Sequence, residues 1–238
     1  MPPAVRMFSV PWTNDDELFS LLKTRLFTAA VGDVLDTMGF RHQFLPPRIQ
    51  PLRSDMLLAG RAMPVLEADY FDLSGDSGQT ELSRRPFGLM LHALDDLKRH
   101  EVYIATGGSP RYALWGELMS TRAMHLGAAG AVVNGYSRDT KGILELGFAT
   151  FSMGRYAQDQ GYRGKVVDFR VAIEIESVKI APGDIVFGDQ DGVLIIPENA
   201  EREAISLALE KAGKENLVKR AIQQGTPTVE AFEKFGVM

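Results

Sequence analysis

The chain has no cysteine. That absence removes disulfides, thiolate zinc sites and cysteine nucleophiles together. Histidine is scarce, with four residues, and none stands in the HExxH spacing of a helical zinc site. His42 falls in a proline-rich stretch, His92 and His100 on one helical segment and His125 on a later one; core or surface roles suit each. No apolar run approaches the roughly 18 residues of a membrane span. The opening MPPAVRMFSVPWTNDDELF has no apolar core of the kind that directs secretion. Positive charge is not in excess either: the net charge is −5 and the pI about 5.5, the wrong sign for a nucleic-acid footprint. No GxGxxG follows a strand and opens a helix, and there is no GxxxxGK[ST] loop or GxSxG elbow. These absences predict a cytoplasmic protein that handles small molecules, with no nucleic acid and no membrane among its partners.

What is present suits one large domain: 238 residues, 45% of them hydrophobic. Apolar spacing over 15–39 predicts two helical stretches, with Asn14 or Asp15 as N-cap, a second start at Thr28 and a stop at Gly39. A strand is expected over 59–65, a polar loop over 72–86, a helix over 87–100 and a short buried strand over 102–105. A helix is then expected over 113–126 and a strand over 131–134. Further on, strands at 148–152, 166–168, 171–175, 185–188 and 193–196 are separated by Gly, Pro and Asp turns. Asp189 and Asp191, in GDQDGVLIIP, read as a tight turn between two of them. A long helix over 198–224 and a short one over 228–235 close the chain. Strand–helix alternation is not sustained eight times, so an α/β or α+β layer protein is expected instead of a barrel.

The segment 116–139, GELMSTRAMHLGAAGAVVNGYSRD, carries the most chemistry. A helix start offers unpaired backbone N–H groups and the positive end of a dipole, a ready site for a carboxylate, and Gly116 allows close approach to the backbone. Glu117 suits the waters around a hard divalent cation, although a first-turn glutamate also simply complements the dipole. Arg138 and Asp139 follow a strand and a Gly135-Tyr136-Ser137 turn, and open α/β sheets gather their sites at strand carboxyl ends. The arginine offers a planar fork to a carboxylate; the aspartate offers the hard oxygens that Mg²⁺ or Mn²⁺ prefers. By itself an Arg–Asp pair is also a common loop clamp. Lys141 stands nearby, but nothing in its local sequence marks it as a Schiff-base lysine.

Taken together, GELM…A..LG.AG.VVNGYSRD, the later PGDIVFGDQDGVLIIP and the early TAAVGDVLD resemble the RraA-like family over roughly residues 17–225. That family includes the class II 4-hydroxy-4-methyl-2-oxoglutarate (HMG/CHA) aldolases, and other members inhibit ribonuclease E. The resemblance implies an α/β fold, a swivelling β/β/α sandwich with N-terminal helices and a long C-terminal helix. It implies one domain over 1–238, with 1–14 as an N-terminal extension and 226–238 as a tail. It implies homotrimers or hexamers with sites between subunits. By position, the amides of Gly116, Glu117, Leu118 and Met119 would bind the substrate carboxylate, and Arg138 would contact the pyruvoyl group. Asp139 would bind Mg²⁺ (or Mn²⁺) directly and Glu117 through water. Glu215, from a neighbouring subunit, would complete the site. Activity would be a retro-aldol cleavage of a 4-hydroxy-2-oxo acid to pyruvate, with oxaloacetate decarboxylation as a side activity because both routes give pyruvate enolate. The chain departs from the family pattern in carrying Asn134-Gly135 where DG is frequent and Glu117 where some aldolases carry Asp. Two other outcomes stay open: a non-catalytic regulator of ribonuclease activity on the same fold, and a lyase for another oxo or sugar acid.

Overall fold

A computed structural model of the chain describes residues 10–70 and 80–237. Helix α1 (Asp15–Arg25) starts where the Asn14 side chain accepts the Glu17 N–H at 3.0 Å. Helix α2 (Thr28–Thr37) follows and stops at Gly39, in the left-handed region with φ 92°. Its start is capped from far along the chain. Buried Asp189 accepts the Thr28 N–H at 2.8 Å and the Thr28 hydroxyl at 2.8 Å. The same residue accepts the Asp191 N–H at 2.9 Å, so the expected tight turn is also the cap of α2.

The remaining elements in chain order are β1 (Gln50–Pro51), β2 (Leu58–Asp69), α3 (Glu81–Arg84), α4 (Met90–Asp95), β3 (Glu101–Thr106), β4 (Ala113–Trp115) and α5 (Glu117–His125). Then come β5 (Gly130–Val133), β6 (Tyr136–Ser137), α6 (Thr140–Leu146), β7 (Thr150–Ser152), β8 (Gly164–Phe169), β9 (Ile173–Ile175) and β10 (Val178–Ile180). Strands β11 (Ile185–Asp189) and β12 (Gly192–Ile196) lead through a short 3₁₀ turn into α7 (Glu201–Gln223) and α8 (Thr228–Phe235). The main sheet runs β1-β7-β5-β3-β2-β11-β12, with β8 also paired to β2. Strands β7, β5, β3 and β2 are mutually parallel, whereas β11, β12 and β8 join antiparallel. On β11 and β12 the side chains alternate between two cores. Ile185, Phe187, Leu194 and Ile196 pack with α1, α2 and α7, while Val186, Val193 and Ile195 face the larger core of the parallel strands.

The structure corrects four expectations. The strand expected over 59–65 runs on to Asp69. The helix expected over 87–100 is confined to α4: residues 87–89 are held to Val166 by a short bridge with Gly88 left-handed at φ 63°, and beyond the cap at Asp96 the chain turns at His100, φ 67°. The helix expected over 113–126 begins only at Glu117, and the apolar triplet before it is β4. Strand β10 was not expected; its hairpin with β9 turns on Glu176 at φ 53°, with no glycine to announce it. The polar stretch 72–86 lies mostly outside the described residues, and its end forms α3, opened by a Thr80–Ser83 capping box. No helix among the described residues is long and apolar enough to cross a membrane.

Candidate active site

Strands β4 and β6 form a small parallel pair beside the main sheet. Each runs straight into a helix, β4 through Gly116 into α5 and β6 through Arg138 and Asp139 into α6. The pairing continues past the strands, where the Arg138 N–H donates to the Trp115 carbonyl at 2.9 Å. Two helix starts are thereby set side by side. Gly116 is the extended N-cap of α5 and offers no side-chain cap, and Asp139 is the N-cap of α6, where it likewise makes no capping bond. The first-turn N–H groups of α5 therefore keep their donors without a side-chain acceptor.

Asp139 sits in the left-handed region (φ 55°, ψ 35°), which Asp tolerates better than most residues but at a cost of about 1 kcal/mol or more. Its carboxylate lies over Gly116: a Cβ on that glycine would come within 2.9 Å of Asp139 Oδ2. The glycine is needed for this contact and not for an unusual φ. Arg138 donates to Asp159 Oδ1 at 2.7 Å and lies 3.4 Å from Asp139 Oδ1. Asp159 is itself fixed, because its other oxygen accepts the Gly161 N–H at 2.7 Å. Asp159 belongs to none of the motifs visible in the sequence. It lies in a loop between β7 and β8, and only the local Asp-x-Gly turn chemistry hints at it.

These residues meet at a cavity of about 520 Å³. Gly116, Arg138, Asp139, Asp159 and Gln160 line one end, and Leu118 and Met119 contribute from α5. Glu117 does not line the cavity; its carboxyl packs against α6, where a Cβ on Gly142 would fall 2.0 Å from Glu117 Cδ. Glu215 is not brought to the others within one chain. It accepts from Lys211 Nζ at 2.7 Å on α7 and lines a separate groove beside the α1–α2 junction. Lys141 is 89% exposed, facing Glu145, which gives its amine none of the burial a Schiff-base lysine uses.

Beneath the cavity lies a buried acid. Gln160 Nε2 donates to Glu67 Oε1 at 2.7 Å, and Glu67 Oε2 has no hydrogen-bond partner among the described residues. Burial pushes the Glu67 carboxyl up to about 8 against the lowering effect of the Gln160 bond, with nearby Asp69 adding to the rise. The Tyr103 hydroxyl, also buried and without a partner among the described residues, is raised by burial and then by the Glu67 charge. Its ring packs 4.9 Å from that of Trp115, whose indole N–H donates to Ser120 at 2.7 Å on α5.

No cluster of three or more His, Asp or Glu side chains among the described residues is arranged to hold a metal alone. The donors present, Asp139 with Asp159 beside it, are hard oxygens. They fit a cation such as Mg²⁺, which takes one or two protein carboxylates and completes its shell with water and substrate oxygens.

The chain matches the RraA-like (Aldolase/RraA) family profile over residues 28–195, and it belongs to the RraA-like family. Among individual relatives it is 27% identical to the 4-hydroxy-4-methyl-2-oxoglutarate aldolase of Thermus thermophilus, over 61% of this chain and 90% of that protein. It is also 27% identical to Protein DlpA of Legionella pneumophila over 87% of this chain, but it spans only 32% of DlpA's length. Among solved structures, Streptomyces coelicolor RraAS2, described as an unusual member of an RNase ES inhibitor family, superposes with a TM-score of 0.72 at 21% identity, over 88% of this chain and 99% of that one. That likeness bears on the fold alone, and the fold is the RraA-like one that the sequence led us to expect.

Proposed function

We propose that the chain is a class II, divalent-metal-dependent pyruvate aldolase. It would cleave the C3–C4 bond of a 4-hydroxy-2-oxo acid, releasing pyruvate and a carbonyl compound, and would decarboxylate oxaloacetate as a side activity. The observation that carries this reading is the convergence of Arg138 and Asp139 on the uncapped start of α5 at Gly116. The free N–H groups of Glu117, Leu118 and Met119 hold the substrate's C1 carboxylate. Arg138, steered by Asp159, sets its guanidinium against the 2-oxo oxygen, where negative charge grows as the C3–C4 bond breaks. Asp139 would hold Mg²⁺ or Mn²⁺, and the cation would supply Lewis acidity at the 2-oxo group; Glu117, whose carboxyl lies against α6 outside the cavity lining, would support it only through water. Oxaloacetate is cleaved at its C3–C4 bond to the same enolate, with CO₂ as the fragment lost.

The name of the Thermus thermophilus relative, a 4-hydroxy-4-methyl-2-oxoglutarate aldolase, supports this reading, and so does the chemistry of the donor set. We further propose a homotrimer, or a hexamer of two trimers, in which Glu215 of one chain completes a neighbour's site. Exposed apolar side chains on α7 and α8, among them Leu217, Val229 and Phe232, support such packing. The test is pyruvate release from oxaloacetate and 4-hydroxy-2-oxo acids with Mg²⁺, before and after EDTA. Release that EDTA abolishes and Mg²⁺ restores is the expected result. Full release in excess chelator would remove the metal from the reading, and no release from any acid would leave a binding role on this fold.

A further inference from the structure

In the turn before β8, two neighbouring side chains take different partners. Asp159 accepts from Arg138 at 2.7 Å, and Gln160 donates to Glu67 at 2.7 Å. Asp159 and Gln160 line the cavity, and Glu67 lies behind them. The backbone of the turn is tied down as well. The Ala113 N–H of β4 donates to the Gln158 carbonyl at 2.9 Å, and the Gln160 carbonyl accepts the Arg163 and Gly164 N–H groups at 2.6 and 3.0 Å. A pull on Gln160 is therefore a pull on Asp159. Glu67 and Gln160 are 3% and 4% exposed, so their bond belongs to the interior of one chain and needs nothing from a neighbouring subunit.

Glu67 is only half satisfied: Oε1 has Gln160, and Oε2 has no partner among the described residues. The groups around it do not welcome a charge. Asp69, two positions along β2, carries a carboxylate of its own, held by Arg111 at 2.9 Å. On β3 and just before β4, burial and then the Glu67 charge hold the Tyr103 and Tyr112 hydroxyls up. On β8, Lys165 gives its amine to the Ser83 and Arg85 carbonyls. A neutral carboxyl suits this setting, and burial pushes its pKa up to about 8. Once ionised, it calls for donors or water that the site does not hold. Gln160, which touches both Glu67 and the cavity, is where that demand falls.

Resting on the aldolase reading above, we propose that Glu67 is a positioning residue: in its neutral form it holds Gln160, and through that turn it holds Asp159 against Arg138, where the guanidinium meets the charge growing on the 2-oxo oxygen. Ionisation of Glu67 disturbs the turn, so the chemical step slows while the α5 start still captures the substrate carboxylate.

The full chain with Mg²⁺ is assayed for pyruvate release from oxaloacetate between pH 6 and pH 9, with the enzyme-free rate subtracted. Wild-type kcat should fall by about tenfold from pH 7 to pH 9 while KM changes by less than about threefold. Glu67→Gln still offers Gln160 an acceptor and cannot ionise. It should stay within about threefold of the wild type at pH 6.5 and show no such fall. Glu67→Leu and Gln160→Met should each lower kcat by about tenfold at pH 6.5, and the double variant should be no slower than either, because both break one link. A wild-type kcat flat to pH 9, the same fall in Glu67→Gln, an effect carried by KM alone, or wild-type kcat in a folded Glu67→Leu each overturns the proposal while leaving the aldolase reading intact. No pyruvate release from oxaloacetate or from 4-hydroxy-2-oxo acids, with the fold verified by circular dichroism, overturns both.

Discussion

An aspartate stands at the start of both α2 and α6, Asp189 reaching the first from β11 and Asp139 being the N-cap of the second, and the two do opposite things. Asp189 is buried, and its two oxygens take the Thr28 N–H, the Thr28 hydroxyl and the Asp191 N–H. Asp184, at the other end of β11, behaves likewise, accepting the Ala181 N–H at 2.8 Å and the Glu198 N–H at 3.0 Å. Asp139 caps nothing, holds a left-handed backbone and turns its carboxylate over Gly116 into an open cavity. Asp184 and Asp189 use their carboxylates to satisfy the backbone. Asp139 satisfies no backbone group, touches only the Arg138 guanidinium at 3.4 Å, and holds its place at a local conformational cost, as sites that bind a cation or substrate do. Glu67 is a third case: buried, holding one hydrogen bond and pushed towards its neutral form.

The sharpest way to break this contrast is Asp139→Asn, which retains a residue tolerant of the left-handed region. If the free carboxylate is functional, kcat/KM for oxaloacetate should fall by about 1000-fold, in line with removing a principal transition-state charge. The thermal midpoint should hardly move. A normal rate would reduce Asp139 to a loop residue.

Glu67→Gln tests the third case through pH. Below about 4.5 the folded and unfolded states both hold the Glu67 proton. Between there and about 8 the folded state keeps a proton that the unfolded state has released, so wild-type stability falls as pH rises. At about 1.4 kcal/mol per pH unit over that window the loss approaches roughly 5 kcal/mol, less whatever local relaxation recovers. The amide carries no such proton. Urea titrations at pH 5 and pH 8 should therefore show the variant gaining on the wild type as pH rises, and parallel curves would place Glu67 in a wetter setting.

Arg138→Lys keeps the charge but loses the fork that reaches Asp159, and about a 100-fold loss in kcat/KM is expected. A mild effect would mark the arginine as a clamp. Asp189→Ala is the mirror experiment. It should cost about 2 kcal/mol of stability by uncapping α2, seen as a lower urea midpoint, while the remaining folded protein keeps its turnover. Smallest is Gly116→Ala, whose Cβ would press on Asp139 Oδ2 at 2.9 Å. The carboxylate can yield, so about a tenfold loss in kcat/KM is expected with little change in stability.

Local rules made much of the chain legible. Asn14 and Gly39 bracket the N-terminal helices, α8 falls where its apolar spacing puts it, and the turn between β11 and β12 lies where Asp189 and Gly192 mark it. Each of these depends on residues within a few positions of one another. The apolar triplet of β4 could not be told from a first helical turn, since three buried residues in a row have no period. What distinguishes it is pairing with β6, a partner outside its own segment. The late start of α4 has the same origin, because residues 87–89 are bonded to Val166 on β8.

The sequence alone determined that an arginine and an aspartate stand together after a strand, that a glycine opens a helix, and that no thiolate or histidine cluster competes with them. Those are facts of adjacency and composition. Only the tertiary structure decided that Asp139 lies on Gly116, that Asp159 holds Arg138, and that Glu67 is buried beneath Gln160 and pushed towards its neutral form. Strand pairing and burial bring those groups together across the chain, and side-chain spacing along one segment carries no record of what another segment will place against it.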